Sequence, residues 1–237
     1  MDPSSLAPLS RQRGLLHEMS VIAQNIANAQ TTGYREQGVL FSEYLAPEAA
    51  QDGVSMTQAH GRLVSNVQGA LHETGGQFDL AIDGQGYFQV DDGGTARLTR
   101  AGHFVPDAVG TLRTPDGYAL MDLGGMPVQV PPDAQEIAIA PDGTVSADGQ
   151  PLAQIGIVSP ENPSNLTRSA GAVFAAPDGL IPAADGMLRQ GYLESSNVDP
   201  IKQMARMVEV QRAYEMGQSF LQSEDERLRN AIDTLTR

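Results

Sequence analysis

The chain has 237 residues, a net charge of −14, a hydrophobic fraction of 41%, and neither cysteine nor tryptophan. That length suits one or two domains with a real core, while the missing cysteines exclude disulfides, thiol catalysis and thiolate metal sites, and the acidity argues against nucleic acid, which needs a basic footprint. No apolar run reaches the roughly eighteen residues of a membrane-spanning helix, and no basic segment followed by an apolar one marks a cleavable secretory signal, which alone suggests a cytoplasmic protein.

The first predicted element is a helix from about Ser5 to Ala29, with an apolar stripe at Leu15, Met19, Ile22, Ile26 and Ala29. Pro8 fits only a first turn, and Gly14 weakens the middle by roughly 1 kcal/mol relative to alanine. A polar run from Asn28 to Gly33 ends the helix, with Gly33 suited to a left-handed conformation. Residues 34–77 lack strong periodicity and read as extended segments and loops. From Phe78 to about Ser195 short apolar or alternating runs follow one another, as in Phe78–Ile82 and Tyr87–Val90. Asp-Gly pairs at 83–84, 92–93, 116–117, 142–143, 148–149, 178–179 and 185–186 separate them. Asp-Gly suits type I′ hairpin turns, so this region is expected to be a meandering antiparallel sandwich or barrel.

The last element has the clearest start: Asp199 as cap and Pro200 at the first helical position. It should run to about Thr234, on the order of 50 Å at 1.5 Å per residue. Its stripe reads Met207, Val210, Tyr214, Gly217, Leu221, Glu224, Leu228, Ala231 and Leu235. Alternating steps of three and four are the heptad period, which buries one narrow seam against a partner helix. Gly217 permits close helix approach, and Glu224 is expected to face water or a neighbour's arginine. The fold class is therefore α+β: terminal helices paired as a coiled-coil-like assembly domain around a central antiparallel β-rich domain. The segments are 1–36 (N-terminal helical), 37–77 (extended connection), 78–195 (β-rich) and 196–237 (C-terminal helical).

Charge follows the same division. Residues 1–36 carry three basic and three acidic side chains and residues 200–237 carry six of each, so the whole excess lies in the middle. Neutral ends can pack side by side, whereas an acidic midsection stays solvated and repels its copies. Catalytic signatures are absent. His17, His60, His72 and His103 lack metal-ligand spacing, Gly84-Gln85-Gly86 misses the dinucleotide fingerprint, and there is no phosphate loop or nucleophile elbow. A hydrolase built on two converging carboxylates and an intramolecular helix pair packed on the β domain remain as alternatives. So does a surface or phage-tail-like module whose helices trimerise and whose β domain binds carbohydrate, although tryptophan for sugar stacking is missing.

Specific residues add more than periodicity. The segment Gln24-Asn25-Ile26-Ala27-Asn28-Ala29-Gln30-Thr31-Thr32-Gly33-Tyr34-Arg35 resembles the N-terminal signature of bacterial flagellar rod and hook proteins, with Gln24 departing from the usual asparagine. Ser196-Asn197-Val198-Asp199, continuing through Met204, Met207, Gln211, Arg212, Ala213, Tyr214 and Glu215, resembles the matching C-terminal signature, with Gln203 where the family usually has glutamate. Between them, Gly69-Ala70-Leu71, Asp79–Phe88, Leu98–Phe104 and Asp116-Gly117-Tyr118 resemble the family's β domain, and residues 122–165 match least. Length and the moderate β domain fit the short proximal-rod members better than the distal-rod or hook proteins.

The resemblance implies a non-enzymatic structural subunit of the basal-body rod, spanning the periplasm, with no cofactor, metal or small-molecule substrate and no direct membrane insertion. Its partners would be other rod proteins, copies of itself and the flagellar type III export apparatus, which would explain the missing signal. The expected assembly interface comprises Leu15, Met19, Ile22, Asn25, Ile26 and Asn28 with Met207, Val210, Tyr214, Leu221, Leu228 and Leu235.

Overall fold

A computed structural model describes residues 3–45, 55–183 and 185–235. It is α+β, with helix α1 (Pro3–Ala27), helix α2 (Pro200–Leu235) and a mostly antiparallel β-rich body between them. Two compact units form. One gathers Met1–Ala27, Gln37–Leu63 and Asp199–Arg237, and the other Asn28–Glu36 and Val64–Val198.

In the helical unit, α2 begins where its sequence dictates. The Asp199 carboxylate accepts the N–H groups of Ile201 at 3.0 Å and Lys202 at 3.2 Å, satisfying donors that a helix start leaves orphaned. Chiefly the Lys202 N–H holds the Asp199 carboxyl below the usual aspartate range. Helix α1 starts earlier than expected, so Pro8 lies inside it rather than in its first turn. There it forfeits one bond, to the Ser4 carbonyl. The helix stops at Ala27 because Thr31 N–H turns back to the Asn28 carbonyl at 3.0 Å. Strands β1 (Gln37–Leu45) and β2 (Ser55–Val64) pair as a two-stranded sheet. The sequence suggested only extended chain there, because Gly38, Glu43 and Gly61 interrupt the apolar alternation that marks a strand. Residues 46–54 lie outside the described residues.

The β-rich unit is built around Leu80, Ile82, Phe88, Val90, Phe104 and Leu120, all at most 2% exposed. Phe88 and Phe104 meet edge to face with centroids 5.4 Å apart. Its largest sheet has nine strands. Along the main path these are β14 (Thr167–Ala170), β15 (Val173–Ala175), β6 (Ala96–Thr99), β5 (Tyr87–Asp91), β9 (Ala119–Leu120), β8 (Leu112–Arg113) and β7 (Val105–Pro106). Strand β13 (Ile157–Pro160) adds to β5 and carries β16 (Leu180–Pro182). A separate three-stranded sheet holds β10 (Ile137–Ile139), β11 (Thr144–Ala147) and β12 (Gln150–Gln154). Two further pairs join distant parts of the chain: β4 (Leu80–Asp83) with β17 (Met187–Gln190), and β3 (Leu71–Glu73) with β18 (Tyr192–Glu194). The simple meander expected from the turns is thus corrected. Local hairpins exist, but crossovers such as β15 to β6 and β13 to β5 knit the body together.

The turn chemistry is also more specific than Asp-Gly alone. Among the described residues only Asp148 has positive φ outside glycine (48°), so among the Asp-Gly pairs only Asp148-Gly149, between β11 and β12, has the paired positive angles of a type I′ turn. Pro115-Asp116-Gly117, Pro141-Asp142-Gly143 and Pro177-Asp178-Gly179 form a second type. In each, the glycine takes positive φ and its N–H returns to the residue before the proline.

Candidate assembly interface

Within the β-rich unit the two signature motifs converge. Gly33 donates its N–H to the Glu194 carbonyl at 2.8 Å. It has φ +67°, and a Cβ there would stand 2.2 Å from the Ala101 nitrogen, so no side chain fits. Asn197 closes the junction from the other motif. Its N–H reaches the Tyr34 carbonyl at 3.2 Å, and its side-chain oxygen accepts the Glu36 N–H at 2.6 Å. Its amide donates to the Val67 carbonyl at 2.8 Å and to Ser65 at 3.2 Å. A side-chain amide alone combines donor and acceptor in this way, which explains why the motif carries asparagine.

Beneath the junction lies a buried charge cluster. The Glu194 carboxylate receives Arg35 at 3.0 Å, Arg100 at 3.0 Å and the Gly69 N–H at 2.9 Å, and all three charged side chains are 1% exposed. Arg35 also donates to the Val67 carbonyl, and Arg100 to those of Ile82 at 3.2 Å and Gly84 at 2.7 Å. Burial lowers the Arg100 pKa below the usual arginine value, opposed by the Glu194 charge, and burial raises that of the neighbouring Tyr87. Two guanidiniums therefore share one carboxylate. A third, Arg168, spreads its charge over aromatic faces instead, 4.1 Å from the Tyr34 ring centre and 4.7 Å from that of Phe174. Arg168 also donates to the Arg35 carbonyl at 2.5 Å, strapping the motif down.

The helical unit holds the residues expected at the interface except Asn28, which belongs to the β-rich unit. Asn25 mimics a strand neighbour: its amide donates to the Gln37 carbonyl at 2.8 Å and its oxygen accepts the Gln37 N–H at 3.0 Å. The same amide reaches Gln203 of α2 at 3.4 Å. Glu18 pairs with Arg206 at 2.7 Å, and Gln12 donates to the Tyr214 carbonyl at 3.2 Å. Rising numbers on α1 thus meet falling numbers on α2, so the helices run antiparallel. Of the residues expected at the interface, Ile22, Asn25 and Val210 are buried, at 4%, 1% and 2% exposed. Leu15, Met19, Ile26, Asn28, Met207, Tyr214 and Leu221 are half-buried. The side chains at Leu228 and Leu235 lie outside the described residues. Glu224 pairs with Arg227 of its own helix at 2.7 Å.

Sequence reasoning missed Gln12, Glu18, Gln203 and Arg206 in the helical unit, and Arg100, Arg168 and Glu194 in the body. Gln12 and Gln203 continue the apolar stripes by one step, which is the signal that could have found them. Away from the seam, α2 exposes Ile201, Met204, Val208, Met216 and Phe220, and on α1 Leu9 and Leu16 are exposed beside Gln12. Exposed apolar residues of this kind make these helices the candidate association surface, since large exposed apolar patches mark such surfaces.

Elsewhere in the body, His103 contacts one Asp79 oxygen at 2.6 Å and Thr74 donates to the other at 2.6 Å. This staple fixes the Thr74–Asp79 turn beside a cleft of about 540 Å³ lined in part by Thr31, Thr32, His103, Thr114 and Asp116. Among the described residues no trio of His, Asp or Glu is arranged to hold a metal. The described aromatic residues of this body are all buried or half-buried, so none offers an open stacking platform for a sugar.

Comparison with known proteins follows the same geography. A model described as the flagellar hook protein FlgE/F/G D1 domain matches residues 81–147, within the β-rich unit. One described as the flagellar basal body rod FlgEFG protein C-terminal region matches residues 189–234, from the Glu194 junction along α2. The flagellar basal-body rod protein FlgF of Caulobacter vibrioides is 33% identical, covering 99% of this chain and 98% of its own. FlgF of Mesorhizobium japonicum is 32% identical over 99% and 98%. The rod protein FlgG of Bacillus subtilis is 31% identical over 95% and 96%.

Proposed function

The chain belongs to the flagellar basal-body rod protein family, of the FlgF type, and we propose that it polymerises into the rod through its terminal helices after export by the flagellum's own type III apparatus. Family membership makes it a structural, non-enzymatic component of the flagellar basal body.

In this reading α1 and α2 pair along the heptad seam in a coiled-coil-like manner. The outer α2 face of Ile201, Met204, Val208, Met216 and Phe220 is completed by neighbouring rod subunits. The observation that carries the reading is the junction of Arg35, Glu194 and Asn197, where both motifs meet. It ties together the chain segment that follows α1 and the one that precedes α2. Torque would pass from subunit to subunit through the packed helices, with the β-rich body as support. Each large apolar residue contributes roughly 1.5–3 kcal/mol when fully buried. The single α1–α2 seam leaves many such residues wet, so ordering of the helices and assembly should be coupled.

Val210→Asp tests this in a strain lacking the native protein. The variant should abolish swimming and disappear from purified basal bodies, while the β-rich unit of the purified chain unfolds at the same urea concentration as before. Normal motility with Val210→Asp would overturn the assembly role of the seam.

A further inference from the structure

The helical seam contains polar groups where burial alone would call for none. Gln12 is 9% exposed, yet its side-chain amide donates to the Tyr214 carbonyl and rests over Gly217. A Cβ at position 217 would stand 2.8 Å from the Gln12 Nε2 atom. The amide can sit this close because position 217 has no side chain; a Cβ there would push the end of the Gln12 side chain away from this position. Within a helix the Tyr214 carbonyl already accepts one backbone bond, and Gln12 uses its second lone pair.

We propose that Gln12 and Gly217 form a register lock, a notch and key that fix how α1 lies along α2. The inference rests on the helix pairing put forward under the proposed function. Apolar burial is non-directional, and Met207, Val210, Tyr214 and Leu221 repeat with a heptad period. A seam of such residues alone could slide by seven positions at little cost, whereas a single polar residue within a seam specifies register. Sliding by one heptad would set Gln12 against Val210 or Glu224. Each carries a Cβ, and α2 contains no glycine other than Gly217, so neither shifted register offers the notch. Glu18–Arg206 and Asn25–Gln203 agree with the observed register. Arg206 is half exposed, which makes its pair the weaker constraint.

The cysteine-free chain allows a clean test. Full-length protein carrying Glu18→Cys with Arg206→Cys reports the observed register, and Glu18→Cys with Ala213→Cys reports a shift of one heptad. Both are treated with a short bismaleimide in purified basal bodies. In the otherwise native chain the 18–206 product should dominate. Gln12→Leu should reduce the ratio of 18–206 to 18–213 product about fivefold, the worth of one net hydrogen bond. Gly217→Ala should do the same even though alanine favours the helix, which separates loss of register from loss of folding. An unchanged ratio in both variants would overturn the lock while leaving the pairing intact. Absence of both products from the otherwise native chain would overturn the pairing and the lock together. Disappearance of both variants from basal bodies would also count against the lock, because one hydrogen bond should not decide assembly.

Discussion

In the β-rich unit Leu80, Phe88, Val90, Leu98 and Leu120 are completely buried, whereas in α2 Ile201, Met204, Met216 and Phe220 stand more than half exposed. The body also closes its own edges. Pro106, Pro151 and Pro182 interrupt the edge strands β7, β12 and β16. The Gln190 side chain bonds both the Ile139 N–H and the Ile137 carbonyl along β10, each at 3.0 Å, and a bulge distorts β14. Strand-to-strand association between copies is thereby discouraged. The helical unit does the reverse, with neutral net charge at both ends of the chain and apolar residues on two faces of α2. A single chain buries the apolar residues of the first unit and leaves several of the second exposed.

Glu194→Ala acts on the completed unit and carries the largest expected effect. It strands Arg35 and Arg100 in a site where each is 1% exposed, and losing the partner of buried charges costs about 3–5 kcal/mol. Urea titration of the full chain, followed through the tyrosines, should register that loss. A cost below about 1 kcal/mol would mean that the cluster is not a keystone of the body. Seam variants such as Val210→Asp should leave the same transition in place, which is the contrast between the units in its plainest form.

Acid should separate the units more gently. Asp107 accepts Arg113 at 2.8 Å and the N–H groups of Thr111 and Val109, and chiefly the Arg113 bond lowers its pKa. A depressed folded value means that its contribution is present above the unfolded aspartate pKa of about 3.9 and is lost as pH falls through the folded value. The body's urea midpoint should therefore decline below about pH 4, and Asp107→Asn should flatten part of that slope. An identical slope in the variant would assign the acid sensitivity to other carboxylates.

Much of this organisation could be read in the sequence, though unevenly. The start of α2 followed from Asp199-Pro200, because a helix cap is a local signal. The motif residues Asn25, Gly33, Arg35 and Asn197 stood out as a pattern, yet their partners did not. Arg168 reaches Arg35 across 133 residues and Arg100 reaches Glu194 across 94, and no local period encodes such pairings. Gln12 was passed over because a polar residue at a stripe position looks like the end of the stripe. The strand order failed for a related reason. Asp-Gly and Pro-Asp-Gly turns announce where the chain reverses, but not that β15 will lie beside β6 or β13 beside β5.

The central claim is that one unit is complete in the single chain and the other becomes so on assembly. Hydrogen exchange of the full chain, dilute in solution and within purified basal bodies, addresses it most directly. Amides of β5 and β6 should be strongly protected in both states, whereas those of α2 should exchange rapidly in the dilute chain and become protected in the rod. Protection of α2 equal to that of the body in the dilute monomer would contradict the account.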